Sequence, residues 1–138
     1  MDFLKKGLNK VKGKMNKAEL EKKINEATVN QAGFASISLL NEISSRTDDS
    51  EECKIVSKQC IKLLTLKPKM WKRILRSLAL IEHIVKIGSQ NFFDQIKDER
   101  DRIKDLFDFK YEEEDKDRGE PSKLFYIFIY LCFICYNS

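Results

Sequence analysis

The sequence predicts an all-α domain, and three observations carry that reading. Apolar residues recur at spacings of three and four along most of the 138 residues, the period of a helix that buries one face. Only 2 prolines and 5 glycines interrupt them, so breakers are scarce. The connections between periodic runs are short, as in antiparallel helices stacked in sequence. Such a length suits one domain, or one domain with a short tail. With 42% hydrophobic and 35% charged residues, there is apolar material for a core and charge for a solvated surface.

The first segment runs from Met1 to Met15. Phe3, Leu4, Leu8, Val11 and Met15 fall on one helical stripe, with Lys5, Lys6, Lys10, Lys12 and Lys14 around it. Gly7 and Gly13 each weaken such a helix by roughly 1 kcal/mol relative to Ala. At this length a helix is marginal alone in water. A narrow apolar stripe flanked by lysines suits a segment that folds on an anionic membrane. A frayed, lysine-rich end without a role has the same composition. The lysines interrupt any apolar run near the start, so no secretory signal is read there.

Residues 17–29 form the first core helix, with Leu20, Ile24 and Ala27 inward. It ends in Glu26-Ala27-Thr28-Val29-Asn30, followed by a turn through Gln31-Ala32-Gly33. Ser36 caps a short helix carrying Ile37, Leu40 and Ile43, and the polar run Ser44 to Ser50 reads as a loop. Asp49 or Ser50, with Glu51 and Glu52 in the first turn, begins a helix to about Leu66. On it Val56, Cys60, Leu63 and Leu64 point inward, while Lys54, Lys58 and Lys62 form an outer row.

After the turn Lys67-Pro68-Lys69 comes the central helix, Lys69 to Ile87. Trp71, Ile74, Leu75, Leu78, Ile81 and Val85 make its stripe, and Leu80, Ile84 and Ile87 fill the far side. A helix apolar all round is buried among others. Beside the stripe, Lys69, Lys72, Arg73 and Arg76 share a neighbouring face, which predicts a cationic shoulder at the surface. Gly88 supplies the stop and Ser89 caps the next helix. Two shorter helices follow, around Phe92–Glu99 (Phe92, Phe93, Ile96) and Arg100–Phe107 (Ile103, Leu106, Phe107). The acidic loop Tyr111 to Glu120 then leads to Pro121, a good first residue for a last helix. Leu124 to Tyr136 is thirteen residues without a charge, too short for a helix that spans a bilayer, which takes about 20.

The net charge of +4 is unevenly spread. Residues 1–23 carry eight lysines against three acids, and Lys54 to Arg76 has eight basic residues and no acid. Two basic segments facing one way make a strong local field, although a cationic face of this kind is also what an ordinary solvated surface shows. Cys53, Cys60, Cys132 and Cys135 read as reduced thiols rather than disulfides. Cys132-Phe133-Ile134-Cys135 has metal-motif spacing, but the single His83 sits in the apolar helix and nothing completes a zinc site. No nucleophile–base pair, Gly-rich phosphate loop or paired-carboxylate arrangement is present, so neither an enzyme nor a cofactor is expected.

Several of these pieces together resemble the epsin N-terminal homology (ENTH) domain. The matching segments are Glu26-Ala27-Thr28-Val29-Asn30, Leu39-Leu40-Asn41-Glu42-Ile43, Trp71-Lys72-Arg73, Leu80-Ile81-Glu82 running to Lys86-Ile87-Gly88-Ser89, Phe107-Asp108-Phe109, and Lys116-Asp117-Arg118-Gly119. Their order and spacing agree over roughly residues 17–120. The resemblance implies a right-handed superhelical stack of about seven or eight short helices without enzymatic activity. Residues 1–15 would then be a conditionally folded segment, 16–121 the domain, and 122–138 an atypical apolar tail, since the family continues differently there.

The resemblance further implies phosphoinositide binding, by a peripheral membrane adaptor in clathrin-linked vesicle formation. Its sites would be cytoplasmic: the plasma membrane, endosomes or Golgi-derived coated vesicles. Headgroup ligands carried over are Lys69, Arg73 and Arg76 on the shoulder and Asn30 in the turn, with Lys5, Lys6 and Lys10 from the first segment. Lys62 and Lys72 add charge, and Phe3, Leu4, Leu8 and Val11 would enter the membrane. Two places depart from the family: Asn25, where a basic residue usually precedes Glu-Ala-Thr, and the end of the helix before Trp71, where a basic residue usually stands near Leu63. Clathrin-coat or adaptor proteins are the implied protein partners. The other reading is a helical protein-interaction scaffold, related to the ANTH or VHS groups, whose basic face meets an acidic partner. Nucleic acid is not expected, because no reading helix or aromatic platform accompanies the basic surface.

Overall fold

The computed structural model describes residues 15–87, 89–99, 101, 112–113 and 116–117. Outside them lie the first segment with Phe3, Leu4, Lys5, Lys6, Leu8, Lys10 and Val11, all but Asp101 of the helix expected around 100–107, the one expected after Pro121, and the apolar tail with Cys132 and Cys135.

Five α-helices make up the described core: α1 Lys17–Ala27, α2 Ile37–Arg46, α3 Ser50–Leu64, α4 Trp71–Ile87 and α5 Gln90–Ile96. Short 3-10 turns, Pro68–Met70 and Lys97–Glu99, precede α4 and follow α5. Four of the five starts are set by a side chain that accepts an orphan backbone N–H. Asn16 caps α1, Ser36 caps α2, Asp49 caps α3 and Ser89 caps α5. The central helix begins two residues later than expected, because Pro68 first forms the 3-10 turn. The stretch read as a loop from Ser44 is helical to Arg46. There Ser44 and Ser45 return their hydroxyls to the carbonyls of Leu40 and Glu42, so their polarity is absorbed within the helix. Within the acidic loop, Glu112–Glu113 (β1) and Lys116–Asp117 (β2) form a two-residue antiparallel ladder.

Helices α3 and α4 each pack against all four of the others. Their shared core is the predicted one in most positions: Leu20, Ile24, Ile43, Val56, Cys60, Ile74, Leu78, Leu80, Ile81, Ile84, Phe92 and Ile96 are fully buried. Two expected core residues are exposed instead. Ile37, the first residue of α2, is 69% exposed and Ile87, the last of α4, is 54% exposed. Both sit at helix ends, where the stripe runs past the neighbours that would cover it. Trp71 and Leu75 are half-buried.

Polar contacts fix the ends of the stack. Thr47 Oγ1 lies 2.7 Å from Ser89 Oγ, and Asn91 donates to the carbonyls of Thr47 and Asp48. Ser57 donates to Gln95 across α3 and α5 at 2.7 Å. The buried Glu52 accepts from the Met15 amide at 2.5 Å and pairs with Arg46 at 3.6 Å. Burial pushes the thiol of Cys53 up to about 11 and that of Cys60 up to about 12, because desolvation disfavours thiolate. No described helix is long and apolar enough to cross a membrane.

Candidate functional site

The chain from Lys54 to Arg76 carries no acid, and its last part is the start of α4. Pro68 fixes the turn there, so Lys69, Lys72, Arg73 and Arg76 leave one helix end within two turns. Lys69 is exposed. Lys72 is half-buried, its Nζ 5.6 Å from the centroid of the Trp71 ring, a cation–π arrangement.

Arg73 reaches across to α1. Its Nη2 donates to Asn25 Oδ1 at 2.9 Å, and Gln59 of α3 donates to the same oxygen at 3.4 Å. One neutral amide therefore gathers side chains from three helices. Arg73 Nε is buried without a hydrogen-bond partner among the described residues, so this guanidinium is not fully satisfied by its protein contacts.

Arg76 differs from the expectation of a surface cation: it is 8% exposed. Its Nε donates to Gln31 O at 3.0 Å, Nη1 to Ala27 O at 3.4 Å and Nη2 to Ala32 O at 3.4 Å. The reason is local. A helix end leaves carbonyls without intrahelical partners, and a guanidinium has a planar fork of donors that can serve several at once. Arg76 thus holds the α1–α2 turn onto α4. Asn30 stands exposed in that turn.

Lys62 lines a different feature, the groove between α3 and α5, with Lys54 and Lys58 on its own wall and Asp94, Asp98 and Glu99 opposite. The shoulder therefore joins Lys69, Lys72 and Arg73 to the turn bearing Asn30, with Arg76 beneath. Lys5, Lys6 and Lys10 lie outside the described residues. Asn25 and Gln59 are the participants that sequence reasoning missed. Asn25 drew notice only as a missing cation, and no periodicity marks Gln59 as its partner. Chemically the shoulder can bind a compact polyanion. Among the described residues no group of three or more His, Cys, Asp or Glu is arranged to hold a metal.

Comparison with known proteins gives a consistent result. The family model for the ENTH domain matches residues 17–121. Epsin of Dictyostelium discoideum is 32% identical over 117 residues, covering 85% of this chain and 17% of that protein. Epsin-1 of Homo sapiens is 31% identical over 105 residues, covering 75% and 18%. The chain thus spans less than a fifth of the length of these curated relatives. Among solved structures, the yeast Ent2 ENTH domain superposes with a TM-score of 0.79 at 24% identity, covering 88% of this chain and 91% of that one. The ENTH domain of epsin-2 in complex with phosphatidylinositol 4,5-bisphosphate (PIP2) superposes with a TM-score of 0.76 at 26% identity, covering 87% and 83%.

Proposed function

Since this chain belongs to the ENTH domain family, we propose that it binds phosphoinositide headgroups and acts as a membrane adaptor of the epsin type. One observation carries the reading. Asn25 holds Arg73 beside the turn that bears Asn30, on a helix end that also supplies Lys69 and Lys72. A phosphorylated inositol ring is compact and strongly anionic. It is held best by cations arriving from separate elements, through short charge-assisted hydrogen bonds. Arg73 offers a planar fork to one phosphate, and Lys69 offers a mobile point charge to another. Arg76 contributes by fixing the turn rather than by facing the ligand. Lys62, across the α3–α5 groove, adds only long-range attraction that salt screens.

In this reading residues 1–15 complete the site. Lys5, Lys6 and Lys10 close over the headgroup, while Phe3, Leu4, Leu8 and Val11 enter the headgroup–acyl boundary. Each lysine near an anionic surface contributes about 1 kcal/mol. Full burial of an apolar side chain adds roughly 1.5–3 kcal/mol, less at this depth. These gains offset an ordering cost of about 1–2 kcal/mol per residue only with help from the new helix's own hydrogen bonds. Folding of the segment is therefore conditional on the membrane. In the same reading the adaptor role lies in clathrin-linked vesicle formation, with coat or adaptor proteins as further partners and peripheral attachment at the plasma membrane, endosomes or Golgi-derived vesicles; its likeness to epsins supports this.

Vesicle sedimentation tests the reading. The chain should bind vesicles containing PIP2 and bind much less to vesicles of matched charge made with phosphatidylserine. Equal binding to both reduces the site to a general basic face. No binding to either points instead to a scaffold for an acidic protein.

A further inference from the structure

Three large apolar side chains among the described residues face solvent: Phe34 at 55%, Ile37 at 69% and Ile87 at 54% exposure. Ile87 stands alone at the far end of α4. Phe34 and Ile37 instead flank the turn between α1 and α2, the turn that Arg76 fastens through the carbonyls of Gln31 and Ala32.

The turn is preformed. Gly33 adopts a φ of +89°, which a residue with a side chain rarely takes, and no atom lies within 4 Å of where its Cβ would stand. That conformation turns the chain outward and presents Phe34 immediately after it. Ser36 then caps α2, so Ile37 occupies the first helical position, beyond the edge of the core.

The charge pattern says what this ledge can meet. From Ala27 to Asn41 there are fifteen consecutive residues without a charge, in a chain that is 35% charged. Within the span there is no cation to pair with an acidic protein and no acid to repel an anionic lipid surface. A lipid surface favours this composition, because an uncharged, partly apolar edge enters the headgroup region without desolvating ions. Arg76 fastens the turn to the start of α4, and Arg73 and Lys69 at that start supply attraction to anionic lipid.

We propose that the α1–α2 turn is a second membrane contact, in which Phe34 and Ile37 enter the headgroup–acyl boundary of an anionic bilayer while Lys69 and Arg73 hold phosphate. The inference rests on the phosphoinositide-binding reading for its orientation. It differs from insertion of the N-terminal segment because the ledge is already ordered, so contact carries little further ordering cost.

The test uses the full chain and a Phe34→Ser/Ile37→Ser double variant. Affinity for PIP2-containing vesicles should fall by about tenfold or more, while titration with soluble inositol 1,4,5-trisphosphate changes by less than about twofold, a loss of apolar contact leaving the charged site in place. The melting temperature should fall by no more than a few degrees, since both side chains are more than half exposed. In a separate Phe34→Trp variant, vesicles of brominated acyl chains should quench emission beyond the quenching seen with the parent's Trp71. Unchanged vesicle affinity without added quenching overturns the inference alone. Parallel loss of vesicle and soluble headgroup binding also overturns it, by showing that the residues shape the ligand site. A dimer of the parent that the double variant abolishes assigns the ledge to a second copy, and overturns it too. A parent that binds neither PIP2 vesicles nor the soluble headgroup removes the functional reading and the inference together.

Discussion

Replacing Arg76 should cost stability first and ligand affinity only as a consequence. The three carbonyls it serves are unequal. Ala27 is buried, so its carbonyl loses its partner outright in an Arg76→Met variant, whereas Gln31 and Ala32 are exposed and water can replace the cation there. Hydrogen bonds from a charged donor contribute about 1.5–3 kcal/mol each at best. Two of these three are long, at 3.4 Å, and the desolvated charge offsets part of the gain. The expected net loss is therefore about 2–3 kcal/mol rather than the sum of three bonds. For a domain of this size that lowers the melting temperature by roughly 6–15 °C. Urea unfolding followed by circular dichroism measures it directly, with Arg73→Gln as the comparator. Arg73 is half-buried and bonds a side chain rather than a helix end, so its change should cost less than about 1 kcal/mol. Arg76→Lys should fall between the two, since it keeps the charge and loses the fork. An Arg76→Met domain as stable as the parent that nevertheless loses headgroup binding would refute the reasoning and return Arg76 to the ligand set.

Three further outcomes are expected. Lys69→Glu with Arg73→Glu should abolish PIP2-vesicle sedimentation and leave most of the helicity and melting behaviour intact; a double variant that sediments like the parent removes these two cations from the site. Leu8→Glu should weaken vesicle binding and remove any vesicle deformation while sparing soluble headgroup binding. Circular dichroism on vesicles should show helix gained by the parent, and a Leu8→Glu variant that still deforms vesicles would leave the first segment as an electrostatic tether only. The buried thiols predict alkaline sensitivity. Their folded pKa values, about 11 and about 12, lie above the ordinary 9.0, so their contribution is complete below pH 9 and is lost as pH rises through the folded values. At pH 10 the ionised thiols of the unfolded chain should cost about 1.4 kcal/mol each. A Cys53→Ala/Cys60→Ala variant should therefore lose less stability than the parent between pH 8 and pH 10 in urea titrations; an unchanged difference would mean other groups set the alkaline limit.

The helical stack was legible because its signals are local. Ser36, Asp49 and Ser89 announce helix starts within three residues of the amides they cap, and the stripes of α1, α3 and α4 repeat within a single turn. The cationic shoulder was legible as charge but not as geometry. Arg73 and Arg76 look equivalent in one dimension. What separates them is a partner 48 residues away in one case, Asn25, and carbonyls 44 to 49 residues away in the other. The misplaced core residues have a similar origin. Ile37 and Ile87 continue their stripes correctly, and only the positions of neighbouring helices decide that the stripes outrun the core there.

The clamp on Met15 has a consequence for whatever precedes it. Glu52 of α3 holds the Met15 amide and is itself braced by Arg46, so the point of attachment of residues 1–14 is fixed to the body of the domain. Ten residues separate Met15 from Asn25, a rise of about 15 Å along α1. Fourteen residues reach about 21 Å as a helix and under about 50 Å fully extended. Lys10, Lys6 and Lys5 stand five, nine and ten residues before Met15, spans of about 17 to 33 Å when extended, so in the proposed reading they act on the shoulder as tethered groups. Their effective concentration there follows from the tether, in the millimolar range typical of short linkers, and is independent of how much protein is present. Moving the anchor, by Glu52→Gln or by inserting residues after Met15, should alter that local concentration without touching a single headgroup ligand.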